Sequence, residues 1–176
     1  DPAFQQAIRE RRFTNQVRHI REPFYLICGY GETGGALIKT LTERDQQVVI
    51  LDVDADRVHM LSMDDLRQFV PALNADAARP MHLQQAGLRH PQCQGVVALT
   101  NSNEVNLKIA ITAKLLHPNI RAICRADSKD IEDNMASFGT DFIIDPFVTF
   151  AIHLATALQA PGLYLLHDWL SGKCQH

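Results

Sequence analysis

The sequence predicts an α/β protein built on a doubly wound, mostly parallel six-stranded sheet with helices on both faces. Three observations support this prediction. Apolar runs of strand length alternate with amphipathic runs of helix length from residue 24 onward, a glycine-rich turn directly follows the first apolar run, and the second apolar run ends in an aspartate. This is the order of elements in a βαβ unit of the Rossmann type, whose strand order is 3-2-1-4-5-6.

The first element, within residues 1–22, differs from the rest of the chain. Residues 4–12 predict a helix with little apolar surface, and five arginines occur by Arg21. A helix that is polar almost all round either bridges other elements or continues from one. Two interpretations stay open: a solvated N-terminal helix, and a connector that leaves a membrane segment, since arginines are enriched on the cytoplasmic side of membrane helices.

Six strands are predicted to follow. They cover residues 24–28, 48–51, 68–73, 95–100, 120–124 and 142–144. The third contains Pro71, which a sheet tolerates at its edge, where the Rossmann order places this strand.

Helices are predicted between these strands. The segment 81–87 predicts a short helix, and Asn101 with Glu104 predicts the start of a helix over residues 105–116. Gly139 is expected to end the helix before the sixth strand. A last apolar helix is expected over 147–160, where Pro161 stops it.

The glycine-rich turn carries the main functional signal. It consists of Gly29, Tyr30, Gly31, Glu32, Thr33 and Gly34. The first glycine permits a tight turn, the second lets the backbone approach a pyrophosphate, and the third lets helix and strand pack closely. The following helix N-terminus offers free N–H groups to phosphates. Asp52 lies eighteen residues beyond Gly34, near the roughly 20 residues expected for the acid that binds ribose hydroxyls.

Composition excludes several other classes. A net charge of −3 argues against nucleic-acid binding, which normally requires a basic surface. The four cysteines lack CxxC spacing, so Cys28 and Cys124 are expected to be buried free thiols in a reducing compartment. The eight histidines show no metal-ligand spacing. No apolar run reaches the ~18 residues of a membrane span, and no signal peptide is visible, so the chain is expected to be cytosolic.

The competing class is an NAD-dependent oxidoreductase. Hydride transfer requires an acid or base and a domain that holds the substrate. The sequence has no Tyr-x-x-x-Lys pair, and only about 30 residues follow the sixth strand. His153 and His167 are candidate bases, but His153 lies among apolar residues. We therefore predict no catalytic residue and no metal ligand.

The helix over residues 105–116 has two apolar stripes. One consists of Val105, Ile109, Ala113 and Leu116, and the other of Leu107, Ile111 and Leu115. One stripe is enough to cover a sheet, so the second predicts either a large neighbouring helix or a partner subunit. We favour the partner and keep the intramolecular alternative open.

From residue 24 to about 160 the chain resembles the regulator of K⁺ conductance (RCK) domain, also called the TrkA-N domain. The resemblance lies in the glycine turn and in four further segments, at residues 49–54, 75–77, 97–106 and 138–146. Such domains are cytoplasmic regulators of potassium channels and transporters, bind adenine nucleotides and assemble through dimers into gating rings. Residues 1–22 resemble the connector to a pore in bacterial channels.

The resemblance and the glycine turn together predict the binding residues. The six turn residues frame the phosphate, Asp52 and Val53 lie at the ribose, Asp76 and Ala77 at the base, and Thr100 and Asn101 on the opposite wall. Arg125 either reaches the phosphates or forms a salt bridge with Asp76 or Asp127. A cation there opposes a divalent ion beside Asp76, which argues against calcium gating. In the family a glycine usually stands where this chain has Ala75.

Two carboxylates predict the preferred ligand. Asp52 suits a free ribose diol and repels a 2′-phosphate, so NAD(H) is favoured over NADP(H). Glu32 lies in the phosphate turn and disfavours highly charged tails. We therefore expect an adenine nucleotide, with AMP or NAD(H) bound better than ATP.

The resulting prediction is a nucleotide-sensing domain that gates potassium transport through a channel at the cytoplasmic face of the bacterial inner membrane. Residues 1–22 form the connector, 23–160 the nucleotide-binding domain, and 161–176 a linker or the start of a following segment. A homodimer or higher gating ring, and a pore or transporter segment upstream of residue 1, are the expected partners. A K⁺/H⁺ antiporter, a Trk-type uptake system and an oxidoreductase remain alternatives.

Overall fold

The structure, a computed structural model, describes residues 1–127, 129–137, 139–145, 151–152, 154–156 and 158. The strands are β1 Phe24–Cys28, β2 Gln47–Asp52, β3 Ala72–Asn74, β4 Cys93–Ala98, β5 Arg121–Arg125 and β6 Phe142–Ile144. The helices are α1 Pro2–Arg18, α2 Glu32–Glu43, α3 Ala55–Leu61, α4 Pro80–Gln85, α5 Asn103–Leu116 and α6 Lys129–Ser137.

The six strands form one parallel sheet in the order β3-β2-β1-β4-β5-β6. The predicted fold class and strand order are confirmed. Cys28 at the end of β1 is level with Leu51 of β2 and Ala98 of β4. The carboxyl ends of these three strands therefore meet at one edge, where the order reverses between β1 and β4. Open α/β sheets bind their ligands outside this kind of edge.

The central strands are apolar on both faces. Leu26 and Cys28 belong to one core cluster, whereas Ile27 and Ile50 belong to another. Because successive strand residues point to opposite faces, the two clusters lie on opposite sides of the sheet. Continuous apolar runs are typical of parallel strands that helices cover on both faces.

The described cysteines are buried free thiols, as predicted for Cys28 and Cys124. Burial raises the pKa of Cys28, and the neighbouring thiols and Asp52 raise it further. Burial also raises the pKa of Cys124 to about 12. Thiols with raised pKa values stay protonated and are poor nucleophiles, so these residues act as small core side chains.

The first helix is longer than predicted and packs against the core through its second half. Phe13 and Val17 lie on one face of α1, are each 2% exposed, and join the larger core cluster. A Cβ added at Gly87 would lie 2.7 Å from Val17 Cγ1, so a residue without a side chain makes room for α1. The helix therefore extends beyond the predicted residues 4–12, and both of its buried residues lie in that extension. The division of the chain at residue 22 stays a prediction.

Other predicted elements shift by a few residues. The third strand begins at Ala72 rather than at residue 68, and Pro71 lies before it, where its carbonyl accepts from Ile50 N at 2.9 Å. The short fourth helix spans Pro80–Gln85 rather than 81–87. Gly139 has the positive φ, 76°, expected after α6. The predicted helix over 147–160 lies mostly outside the described residues.

The start of α5 also differs from the prediction. Ser102, not Asn101, is the N-cap residue, and its hydroxyl accepts from Val105 N at 3.2 Å.

Among the described residues, no helix combines the length and apolarity that crossing a bilayer would need.

Candidate nucleotide site

The glycine turn after β1 has the backbone geometry expected of a phosphate-binding turn. Gly29 has φ +104°, and a Cβ there would lie 3.0 Å from Leu99 C and from Thr100 N. A Cβ at Gly34 would overlap the carbonyl oxygen of Gly29. A side chain is therefore excluded at both positions, at the first by φ and close packing and at the second by packing alone.

Gly31 differs from these two glycines because the space beside it is open. The nearest heavy atom to an added Cβ would be Nη1 of Arg57, at 3.9 Å. Gly31 is also the N-cap residue of α2, and its carbonyl accepts the first helical hydrogen bond, from Gly35 N at 2.8 Å. The N–H groups of residues 32–34 precede that bond and lie at the positive end of the helix dipole.

The side chains of Glu32 and Thr33 lie outside the described residues. The predicted effect of Glu32 on phosphate binding stays a prediction.

Asp52 ends β2 directly beside this turn. Its side chain is 2% exposed. Oδ2 accepts from Tyr30 N in the glycine turn, and Oδ1 accepts from Asp54 N at 2.8 Å. The carboxylate predicted to bind ribose is thus held against the phosphate turn, whereas Val53, the next residue, is 72% exposed.

Arg57 is a residue of this site that the sequence reasoning missed. Its Nη1 lies 3.9 Å from Asp52 Oδ2, and its Nε lies 3.4 Å from Asp54 Oδ2. Arg57 lies five residues after Asp52, in the first turn of α3. This spacing is a signal that could have identified it, because the first turn of α3 follows the end of β2 directly. Asp54 caps α3 by accepting from the N–H groups of Asp56 and Arg57.

Tyr30 connects the turn to a more distant segment. Its hydroxyl donates to Asp64 Oδ2 beyond α3, while its backbone N–H donates to Asp52. Burial, the hydrogen bond to Asp64 and the charge of that carboxylate raise the pKa of Tyr30 to about 12. We call Tyr30, Asp52 and Arg57 the carboxylate wall of the crevice.

The opposite wall is organised by Asn106, which is fully buried in α5. Its Oδ1 accepts from Thr100 N at 2.9 Å and from Thr100 Oγ1 at 2.7 Å. Its Nδ2 donates to the carbonyls of Thr100 and Arg125, each at 3.0 Å. One side chain therefore ties the segment after β4 to the end of β5. We call Thr100, Asn101, Asn106 and Arg125 the amide wall.

Arg125 has a polar partner on this wall. Its Nη1 donates to Asn101 Oδ1 at 3.2 Å. Asp127 instead accepts from the Asn103 side chain. Among the described residues, no ion pair joins Arg125 to Asp76 or Asp127, so the expected salt bridge is not formed. A contact with phosphate stays a prediction.

The loop after β3 is attached to the carboxylate wall through the backbone. Ala75 N donates to the carbonyl of Asp52 at 2.9 Å, and Asn74 Nδ2 donates to the same carbonyl at 3.1 Å. Asp76 Oδ1 accepts from Ala78 N at 2.9 Å and so stabilises its own turn, while Ala77 is buried. Their predicted contact with the base stays a prediction.

A model of the TrkA-N domain family matches residues 25–146. The chain therefore belongs to the TrkA-N family, as the resemblance predicted. It is 23% identical over 160 residues to potassium channel protein 1 of Methanocaldococcus jannaschii, covering 91% of this chain and 46% of that protein. It is 26% identical over 156 residues to the Trk system potassium uptake protein TrkA of Halomonas elongata, covering 85% and 33%. The chain thus spans less than half the length of these relatives.

Solved structures show the same fold. The TrkA-N domain of the Escherichia coli inner membrane protein ybaL aligns with a TM-score of 0.69 at 22% identity, covering 77% of this chain and 96% of that one. The GsuK channel bound to NAD aligns at 0.66 with 21% identity, covering 85% and 25%. The Shewanella denitrificans Kef C-terminal domain in its AMP-bound form aligns at 0.66 with 20% identity, covering 85% and 89%.

Proposed function

We propose that this chain is an adenine-nucleotide-sensing regulatory domain that gates potassium transport at the cytoplasmic face of a membrane. One observation carries the proposal: the open Gly31 at the N-terminus of α2 lies beside the carboxylate of Asp52, at the point where the strand order reverses. A helix N-terminus favours phosphate, and a carboxylate accepts from ribose hydroxyls.

The expected ligand is AMP or NAD(H), in preference to ATP and NADP(H). Relatives of this fold were solved with NAD and with AMP, which supports the adenine nucleotide class. The order of preference is our inference from the carboxylates of Asp52 and Glu32. The ribose hydroxyls would donate to Asp52 in addition to Tyr30 N and Asp54 N, because an ionised carboxylate can accept about four hydrogen bonds.

The proposed mechanism is a ligand-biased switch without turnover. Membership of a family whose named relatives serve potassium transport supports a regulatory role. A nucleotide shifts such a switch only by its different affinities for the two arrangements, typically by about 1–3 kcal/mol. This role requires no catalytic residue, so no NADH oxidation is expected.

The proposed assembly is a homodimer or a higher ring formed partly through α5. In the second apolar stripe Leu115 is 78% exposed, whereas Leu107 and Ile111 are half-buried. Leu107 packs against the larger core cluster, so Leu115 is the member of this stripe that is offered to a partner subunit. We also propose that the helix predicted over 147–160 contributes to this interface, although it lies mostly outside the described residues. Leu115→Glu should lower the oligomer fraction in sedimentation velocity, and an unchanged distribution would contradict the proposed interface.

Nucleotide binding is tested first. Calorimetry should show AMP binding to the wild type and loss of binding in Gly31→Val, because the branched side chain would fill the open space at the helix N-terminus. Gly31 has φ −72°, a value that valine also adopts, so the variant should keep its circular dichroism spectrum. Equal affinity in the variant would contradict the site.

Gating is tested in the full-length protein in liposomes. Potassium flux should change several-fold between zero and saturating nucleotide, and this response should disappear in Asp52→Ala. Flux that is the same with and without nucleotide would contradict the switch even if nucleotide binds.

A further inference from the structure

Arg57 lies at the ribose side of the candidate site, and its guanidinium can serve a ligand there. We propose that Arg57 is a specificity-determining residue that lets the site accept a phosphate on the ribose 2′ position, next to Asp52. The proposal rests on the proposed function, because it concerns the ligand of the same site. It predicts that discrimination against 2′-phosphorylated nucleotides is weaker than Asp52 alone would give.

The position of Arg57 supports this role. Nη1 is 3.9 Å from Asp52 Oδ2 and is also the nearest atom to the open space at Gly31. The guanidinium therefore lies between the acid that would bind the ribose and the turn that would bind the phosphate. A substituent on the 2′-oxygen would project toward this part of the site, since Asp52 is placed to bind the ribose hydroxyls.

The guanidinium of Arg57 also has N–H donors that no described side chain accepts from. Its side chain is 39% exposed, in contrast to 2% for Asp52. The separation of 3.9 Å from Asp52 is too long for a hydrogen bond, and only Nε approaches Asp54, at 3.4 Å. A guanidinium has five N–H donors in a planar fork that matches a phosphate group. Among the side chains that the structure describes, only Asp52 and Asp54 lie near this guanidinium, so most of its donors remain for a ligand.

Movement of Arg57 toward a phosphate would not leave Asp52 unpaired. Asp52 keeps its hydrogen bonds from Tyr30 N and Asp54 N, which come from the backbone and do not depend on Arg57. The buried carboxylate therefore tolerates the loss of the arginine. Water can solvate the exposed Asp54 carboxylate, so breaking its ion pair with Arg57 costs little free energy.

The opposing charges predict a reduced preference rather than a reversed one. Asp52 and Asp54 together outweigh the single charge of Arg57, so the site still favours a free 2′-hydroxyl. The arginine offsets part of the repulsion that a 2′-phosphate experiences from Asp52. The binding affinity should therefore depend on Arg57 much more for a 2′-phosphorylated ligand than for AMP.

The test compares two probes, 5′-AMP and adenosine 2′,5′-bisphosphate, by calorimetry on the full chain. We measure the ratio of their dissociation constants in the wild type, Arg57→Gln, Arg57→Lys and the control Arg67→Gln. Arg67 pairs with Asp45 away from the ribose acid. The ratio should rise by about tenfold in Arg57→Gln, the size expected for losing a partly exposed charged hydrogen bond. It should rise less in Arg57→Lys and not at all in the control.

Each outcome decides the question. An unchanged ratio in Arg57→Gln, with AMP still bound, overturns the role of Arg57 and leaves the proposed function standing. An equal loss of affinity for both probes also overturns it, because Arg57 would then serve the 5′-phosphate or the fold. If the wild type binds neither probe, the proposed function fails and this inference with it. Circular dichroism melting shows that the variants compared are folded.

Discussion

The two walls of the crevice are built from different chemistry. The carboxylate wall holds the charged Asp52 with two backbone N–H groups and an arginine that is 39% exposed. The amide wall holds its backbone with Asn106, a neutral side chain that is fully buried and has four hydrogen bonds to two residues. Water or a ligand can replace Asp52 and Asp54 as partners of the accessible arginine, whereas Asn106 is fully buried and its hydrogen bonds hold two segments of backbone together.

This difference indicates that the two walls have different roles, one in binding the ligand and the other in keeping the crevice in shape. A binding surface must exchange its internal contacts for contacts with a ligand, and the carboxylate wall can do so because its arginine is accessible. A wall that only positions the ligand must keep its geometry when the ligand binds. Asn106 maintains this geometry by joining the end of β5 to the segment after β4. Substitutions in the walls, in the helix that follows the glycine turn and behind the amide wall test this difference, and we take them in order of decreasing effect on the free energy of unfolding.

Removing the Asn106 amide should have the largest effect. In Asn106→Leu the side chain has similar volume, but Thr100 N and the carbonyls of Thr100 and Arg125 lose their partner. Buried groups left without hydrogen bonds cost about 1–3 kcal/mol each, so we expect a loss of about 4 kcal/mol. Urea denaturation measures it. Asn101→Ala is the matched control, because Asn101 is exposed and should change stability by less than about 0.5 kcal/mol.

Alanine substitutions at two adjacent glycines of α2 should change the free energy of unfolding in opposite directions. In Gly34→Ala the new Cβ would overlap Gly29 O, and overpacking against backbone should cost about 2 kcal/mol. In Gly35→Ala the Cβ makes an ordinary contact, 3.8 Å from the Tyr30 ring, so the helix should gain about 0.5–1 kcal/mol. Urea denaturation of both variants measures the difference. Equal effects would show that α2 does not approach the turn after β1 as closely as described.

Much of this arrangement could be predicted from the sequence, because local rules determine it. The positions of Gly29 and Gly34, the strand order and the location of Asp52 follow from spacing and from the topology of parallel sheets. The burial of Phe13 and Val17 in an arginine-rich helix could not be predicted, since two apolar residues one turn apart gain burial only if a partner surface has room for them. Gly87 provides that room, and its position depends on the tertiary fold.

The polar contacts of the site were harder to predict. Asn106 lies within a segment that matches the family, yet its role depends on four hydrogen bonds to residues 6 and 19 positions away. For Arg125 the sequence left open a phosphate contact or a salt bridge with Asp76 or Asp127, and its guanidinium donates to Asn101. Spacing along the chain places a charged side chain at a strand end, whereas its partner depends on rotamers and on which groups are already paired.

Removing the Tyr30 hydroxyl tests the outer part of the carboxylate wall. Tyr30→Phe keeps the ring beside Gly35 and the backbone donor to Asp52, and it removes only the bond to Asp64. Because Asp64 is exposed and can be solvated, the loss should be about 1 kcal/mol. Asp64→Asn should cost no more than Tyr30→Phe. A loss in the double variant equal to the sum of the two single losses would contradict a direct interaction.

The smallest expected effect lies behind the amide wall, where Asp141 joins α5 to β5. Its Oδ2 accepts from Lys114 Nζ at 2.8 Å and from Ala122 N at 2.7 Å. Burial tends to raise the pKa of Asp141, but the Lys114 hydrogen bond, the Ala122 N–H and the charges of Lys114 and Arg121 outweigh it and lower the pKa below its ordinary value. A lowered pKa in the folded state means that ionised Asp141 stabilises the fold.

That stabilisation is present above the pKa of the unfolded chain, about 4, and is lost as the pH falls through the lower folded value. Asp141→Asn should therefore destabilise the chain by about 0.5 kcal/mol at pH 7, a small value because the side chain is 39% exposed and solvent screens its charge. The difference from wild type should shrink toward zero at about pH 2, measured by urea denaturation across this range. Lys114→Gln is the reciprocal control, and its effect should largely disappear in the Asp141→Asn background. A difference that stays constant down to pH 2 would show that shape, and not charge, makes Asp141 stabilising.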